Sequence, residues 1–248
     1  MRYTFPMQIR RPHPIRALQA RAQARAEKKH AELTTCPFTI VYDFDGTVAN
    51  TIDEMLRIYN EVAQEKGYKQ ITLENMAALK RMSIKAASEE LDVPTALLPL
   101  LLMQGKRRLS RTMGSVPFFP DIPKVLIALQ KMGCEQVIAT SNSKKNVNTF
   151  LAAHSAGPLF AYLECNIGIF GKARRLKKMM KRQGLAPERV IYVGDELRDI
   201  EAARASGLRV ISVTWGLNDE SALEEASPDF IARTPEKLQR IIMKLCKE

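Results

Sequence analysis

Four short apolar runs, Phe38 to Tyr42, Gln136 to Ala139, Val190 to Val193 and Val210 to Val213, constrain the fold of this chain more than any other feature. They are rich in β-branched residues and show little polar alternation, the pattern of strands buried on both faces. Helical patterns flank them: Ile122 to Met132 is closed by Gly133 and Asp199 to Ala205 by Gly207, glycines standing where a helix ends. Strands that alternate with helices are joined by right-handed crossovers. The expected fold is therefore α/β, a three-layer Rossmann-like parallel sheet covered by helices on both faces.

Between Thr51 and Ser115 the alternation stops. Apolar residues recur there at helical spacing (Met55, Ile58, Tyr59, Val62; Leu73, Met76, Leu79, Met82; Leu97 to Leu109), with Pro94, Pro99 and Gly105 as punctuation. This predicts an inserted all-helical cap domain over 51–115, leaving 38–50 and 116–248 as the α/β core. Residues 1–37 read as a basic N-terminal extension, flexible or helical, in which Pro6, Pro12 and Pro14 break any early element.

The chain carries 38 Lys and Arg against 27 Asp and Glu, a formal charge of +11, which by itself suggests a polyanionic partner. The excess is uneven. Residues 1–35 hold eight basic and two acidic side chains, so +6 of the charge lies there and only +5 in the rest. No apolar run reaches the ~18 residues of a membrane span. Cys36, Cys134, Cys165 and Cys246 form no CxxC pair and no metal spacing with histidine, so neither a zinc site nor a disulfide framework is expected. Scattered reduced thiols fit a cytoplasmic protein. An Arg-rich, acid-poor leader also resembles a transit peptide, which leaves an organellar location as the alternative.

The strongest chemical signal is Asp43-Phe44-Asp45-Gly46-Thr47 at the carboxyl end of the first strand. Two carboxylates at that place sit in the crevice where open α/β sheets bind ligands. They repel one another without a cation, which asks for a hard divalent metal with oxygen ligands. A second acidic pair, Asp195 and Asp199, follows the Val190 run in Gly194-Asp195-Glu196-Leu197-Arg198-Asp199, and the spacing of four places both on one side of the emerging turn. Ser141-Asn142 follows the strand ending at Ala139, and Lys172 opens the basic run Lys172 to Arg182. For Ser141 a helix N-cap is the competing role, contested by Asn142 and Ser143.

This set, in this order, resembles the haloacid dehalogenase-like hydrolase superfamily over residues 38 to about 235. Asp43 and Asp45 match its first motif, Ser141 the second, Lys172 the third, and Asp195 with Asp199 the fourth. Phe119-Pro120-Asp121 and Val213-Thr214-Trp215-Gly216 look like the phosphoglycolate phosphatase branch, which carries a helical cap after the first motif. The resemblance implies a Mg2+-dependent phosphomonoester phosphatase acting on a small phosphorylated metabolite. Asp43 would be the nucleophile and Asp45 the general acid and base; Asp43, the Asp45 main-chain carbonyl and Asp195 would hold the metal, with Asp199 behind them. Ser141, Asn142 and Lys172 would bind phosphate. One departure is Asn50, where the family places an acid near the cap hinge; it is read as capping the next helix.

A phosphosugar mutase of the same superfamily is the alternative enzyme, and an inactive fold binding a polyanion such as RNA the non-enzymatic one. The Lys172 to Arg182 run has Leu176, Met179 and Met180 as its buried stripe and no aromatic interleaving, so it reads as a solvated helix face and no nucleic acid is expected. Trp215 reads as loop packing, and His154 as surface. Substrate choice falls to cap loops around 72–85 and 103–114, which carry no readable code, and the oligomeric state is open.

Overall fold

A computed structural model describes residues 36–168 and 171–247. The expectations for residues 1–35 lie outside the described residues. Six strands form one sheet: β1 (Thr39–Tyr42), β2 (Glu135–Ala139), β3 (Tyr162–Glu164), β4 (Val190–Gly194), β5 (Arg209–Val213) and β6 (Phe230–Ala232). Their order is β3-β2-β1-β4-β5-β6 and every pairing is parallel. The sequence pattern predicts four of the six. β3 and β6 are three-residue, partly buried edges, too short to show a period.

Alternate residues of β1 enter opposite faces, as the pleat requires. Ile40 and Tyr42 pack into a cluster with Leu126 and Leu129 of α5 (Ile122–Lys131), Phe150 of α6 (Lys144–Ala153) and Leu238 and Ile242 of α10 (Pro235–Leu245). Val41 packs on the other face with Leu176 and Met179 of α7 (Lys172–Gln183), Ile200 and Ala203 of α8 (Leu197–Ala205) and Leu223 of α9 (Glu220–Glu225). These are the three layers expected. β1 lies between β2 and β4, so the chain winds outward to β3, returns across β1, and winds outward again through β6. That reversal opens a crevice at the carboxyl ends of β1 and β4.

Between β1 and α5 the described residues hold α1 (Ile52–Lys66), α2 (Leu73–Leu79), α3 (Ile84–Glu90) and α4 (Leu98–Leu109), with a 3-10 turn at Thr95–Leu97 and no strand. This helical insertion has a small core of its own, Leu79, Leu91, Val93 and Leu98, with Tyr59 and Ile71 against it. Ile58, Leu109 and Met113 instead join the main core. The two segments that cross between insertion and sheet run side by side, with Ala49 bridged to Phe118 and Asn50 N–H donating to the Pro117 carbonyl (2.9 Å). Asn50 therefore does not cap the next helix. α1 begins at Ile52 after Thr51, and Asn50 is held in the crossing segment.

A second expectation is overturned. Cys36 and Cys246 are disulfide-bonded across 210 residues, while Cys134 and Cys165 are buried free thiols. Sequence spacing reports pairing within a loop or motif, and this pair joins the entry of β1 to the end of α10. No helix among the described residues is long and apolar enough to cross a membrane.

Candidate active site

Asp43 and Asp195 come together because β1 and β4 are neighbours: Tyr42 pairs with Val193, and the Asp43 N–H donates to the Val193 carbonyl (2.8 Å). The strands end in register, so the residue following each occupies the same edge. Gly46 and Gly216 let two loops close on Asp195, since a Cβ at either would collide with its carboxylate. Thr47 Oγ1 donates to Asp195 Oδ1 (2.6 Å) and the Leu217 N–H to Oδ2 (2.8 Å).

Asp199 arrives on the first turn of α8, where it closes a capping box with Glu196. Its Oδ2 accepts from the N–H groups of Asp195 (3.2 Å) and Glu196 (3.1 Å). Lys172, at the start of α7, is buried between carboxylates, donating to Asp43 Oδ2 (3.0 Å) and Asp199 Oδ1 (2.5 Å), with its ammonium 5.1 Å from the centre of the Tyr192 ring. The other oxygen of Asp43, Oδ1, accepts from the Phe44 N–H (2.8 Å).

Asn142 holds Asp45. Its Nδ2 lies 3.1 Å from both oxygens of Asp45, while its Oδ1 accepts from the Ser143 N–H (2.8 Å) and Asn146 Nδ2 (2.9 Å). Both ends of the Asn142 side chain are thus occupied, and it orients the Asp45 carboxyl. Ser143 is the N-cap of α6, accepting from the Asn146 N–H (3.1 Å), so the Ser141 hydroxyl is not needed there.

Electrostatics separate the carboxyl groups. Burial pushes Asp45 up to about 7, with the charge of Asp43 adding to the effect and Asn142 opposing it. Burial raises Asp43 to about 6 against the pull of the Lys172 ammonium. Asp195 is raised well above the usual carboxylate range by burial and by the charges of Glu196, Asp199 and Asp43. Lys172 resists its own burial because Asp199 and Asp43 raise its pKa. Oxygens of Asp43, Asp195 and Asp199 all lie within 4.8 Å of one another, all three residues buried, with one ammonium between two of them. Three carboxylates against one lysine leave negative charge that a hard divalent cation would neutralise, so the donor set fits Mg2+.

Several neighbours were not singled out from the sequence. Thr47 and Arg198 lie inside the two acidic motifs; Arg198 pairs with Glu196 (Nε to Oε2, 2.7 Å), and its charge favours the ionised form of Asp43 and Asp45. Lys106 of α4 reaches from the insertion to the Ser141 carbonyl; burial lowers its pKa, and the charge of Asp45 opposes that shift. It stands in a Lys-Arg-Arg run that carries no sign of inward aim. Trp215 packs, as expected, its Nε1 donating to the Thr47 carbonyl (3.1 Å). His154 is exposed, with Nε2 2.8 Å from the Val116 carbonyl.

The family description "haloacid dehalogenase-like hydrolase" matches residues 40–213, which hold Asp43, Asp45, Ser141, Asn142, Lys172, Asp195 and Asp199. The chain belongs to that family. Among haloacid dehalogenase-like relatives, the phosphoglycolate phosphatase of Synechococcus elongatus is 32% identical over 209 residues, covering 84% of this chain and 99% of its own. That of Aliivibrio fischeri is 24% identical over 209 residues, 78% of this chain and 91% of its own. The fold is shared with a haloacid dehalogenase-like family hydrolase from Streptococcus pneumoniae (TM-score 0.70, 18% identity, 83% of this chain and 98% of that one). Within the family the chain is a phosphatase, an enzyme acting on phosphoric monoesters.

Proposed function

We propose that the protein is a Mg2+-dependent hydrolase of a small phosphorylated metabolite that works through an aspartyl-phosphate on Asp43. The observation that carries this is the separation of two neighbouring carboxyl groups: Asp43 ion-paired with Lys172, and Asp45 shifted to about 7 and held by Asn142. Two carboxyls with unlike environments divide nucleophile from acid.

Asp43 attacks phosphorus, so that one difficult displacement becomes two easier ones. Asp45, protonated near neutral pH, gives its proton to the leaving alkoxide and then takes one from the water that releases phosphate. Lys172 and the Ser141 hydroxyl hold the non-transferred oxygens, and Asn142 keeps Asp45 aimed. When bound, the divalent cation supplies charge neutralisation as anionic nucleophile and anionic ester meet. Asp43, Asp195 and the Asp45 main-chain carbonyl would hold it. Asp199, committed to two backbone N–H groups and Lys172, supports from behind.

Residues 51–115 would act as the cap, from which Lys106 reaches the Ser141 carbonyl. A basic cleft of about 350 Å³ lies beside the insertion, lined by Lys106, Arg107, Ser143, Lys145, Asn146 and their neighbours; Asp43, Asp45 and Lys172 do not line it. The names of the curated relatives make 2-phosphoglycolate the first ester to assay. The Cys36–Cys246 disulfide removes the reduced-thiol ground for a cytoplasmic location, and sequencing the mature N-terminus tests the organellar alternative.

The test is phosphate release from 2-phosphoglycolate and from an aryl phosphate, by wild type and Asp43→Asn, with Mg2+ and after chelation. Turnover should need both Asp43 and the metal. Undiminished release by Asp43→Asn, or by the chelated enzyme, would overturn the mechanism.

A further inference from the structure

The amino ends of the strands, at the sheet edge opposite the active site, gather three cysteines. Cys36 lies three residues before β1 and Cys134 directly before β2, which pairs with β1 from Thr39 against Glu135 onward, so parallel pairing brings both to one edge. Cys246 follows α10, whose Leu238 and Ile242 pack against the same face of the sheet. The backbone fixes each position: Cys36 N–H donates to the Met132 carbonyl (3.0 Å), Cys134 N–H to Leu129 (3.1 Å) and Cys246 N–H to Ile242 (2.9 Å). One thiol of each of the three lies within 4.8 Å of the other two. Cys36 and Cys246 are joined, and the free Cys134 Sγ stands 4.0 Å from Cys246 Sγ.

A disulfide with a third thiol at van der Waals distance from one of its sulfurs is the reactant arrangement of thiol–disulfide exchange. We propose that Cys134 exchanges with the Cys36–Cys246 disulfide, moving the tether on the C-terminal helix from the entry of β1 to the entry of β2. The Cys134 thiolate attacks Cys246 Sγ. The Cys134–Cys246 bond forms as the Cys36–Cys246 bond breaks, the electron pair leaves on Cys36 Sγ, and the proton lost by Cys134 is regained by Cys36 through solvent. The step is isoelectronic and consumes no oxidant or reductant.

The exchange changes what is held. With Cys36–Cys246 closed, the chain preceding β1 is covalently anchored to α10. With Cys134–Cys246 closed, α10 stays tied to the sheet while Cys36, the residue that leads into the basic N-terminal segment, becomes a free thiol. Burial pushes the Cys134 thiol up to about 11, and the neighbouring Tyr42 is raised by burial and by Cys134, so neither group is charged at neutral pH and attack proceeds through a minor thiolate. The interconversion is slow by this account, suited to a state set before or between rounds of catalysis. Cys165, near the carboxyl end of β3, is remote from the cluster and takes no part.

The experiment uses the full chain purified without reductant, incubated native at pH 8.5, acid-quenched, alkylated in denaturant and mapped by mass spectrometry for disulfide-linked peptides. Wild type and Cys165→Ser should show both Cys36–Cys246 and Cys134–Cys246 links, with one disulfide per chain throughout. Cys134→Ser should show Cys36–Cys246 alone and keep wild-type phosphatase activity, which reports that it folds. Cys36–Cys246 as the sole link in wild type after incubation would overturn the proposal. So would a chain with no disulfide, or one zinc per chain that is lost in Cys134→Ser, which would make the cluster a thiolate metal site.

Discussion

Asp45 is where burial and function oppose each other. Its folded pKa of about 7 lies above the ordinary 3.8, so the folded state binds its proton more tightly than the unfolded chain does. Stability from this group is full below about pH 4 and is lost as pH rises toward 7. Asp45→Asn should therefore melt higher than wild type at pH 8 in metal-free buffer, the difference fading at pH 4, while kcat falls about 10²–10⁴-fold. Thermal scans at the two pH values with parallel phosphate-release assays check both halves. In the proposed mechanism Asp43 is ionised and Asp45 protonated at the first step, so kcat/KM should be bell-shaped, with limbs near the two shifted values of about 6 and 7 and a lower acid limb when Mg2+ is saturating. Lys172 is the counterweight of the buried acids. Lys172→Met should cost about 3–5 kcal/mol in metal-free urea unfolding, because two buried carboxylates lose their partner.

At the scale of elements, the helical insertion is fastened to the sheet by polar contacts in addition to the apolar contacts around Ile58 and Leu109. Asn218, in the loop after β5, donates through Nδ2 to the carbonyls of Lys80 (2.8 Å) and Met82 (3.1 Å), and its Oδ1 accepts the Leu197 N–H at the head of α8 (3.0 Å). The Asp219 N–H adds a bond to the same Lys80 carbonyl (3.1 Å). One buried side chain thus ties the turn between α2 and α3 to the helix that carries Asp199. Asn218→Ala should destabilise by about 1–3 kcal/mol in denaturant unfolding, from orphaned backbone groups. On the proposal that the insertion caps the site, it should also raise KM more than it lowers kcat, since the insertion loses a tether while Asp43 and Asp45 keep their positions. This contact was not legible in the sequence. An Asn in a loop after a strand reads as turn chemistry, and its partners lie 136 and 138 residues away.

For the whole molecule, the proposed metal site in the cluster of buried acids would make folding and metal binding one equilibrium. A ligand that binds only the folded state at 100 times its Kd stabilises by about 2.7 kcal/mol, which at about 2–4 °C per kcal/mol for a chain of this size is a Tm rise of roughly 5–10 °C. Saturating Mg2+ should produce such a rise at pH 8 and much less at pH 5, where Asp43, raised to about 6, holds a proton that competes with the metal. Scanning calorimetry with and without chelator reads this directly.

The local pattern of residues determined a great deal: four buried strands, the helical stretch from Thr51, and acids placed directly after two of those strands. Each is a statement about neighbours in the chain, where periodicity and turn chemistry act. The formal charge of +11, which alone suggested a polyanion partner, was already divided by position into a basic leader and a mild excess elsewhere. Only the tertiary structure decided what depends on approach between distant segments. The β3 and β6 edges form because a sheet already exists to pair with. Asn142 serves Asp45 because β2 and β1 end side by side, Lys106 points inward because α4 crosses above that loop, and three cysteines meet because two parallel strands begin where the last helix ends. Sequence periodicity records which face of an element is buried; which other element covers that face is a property of packing alone.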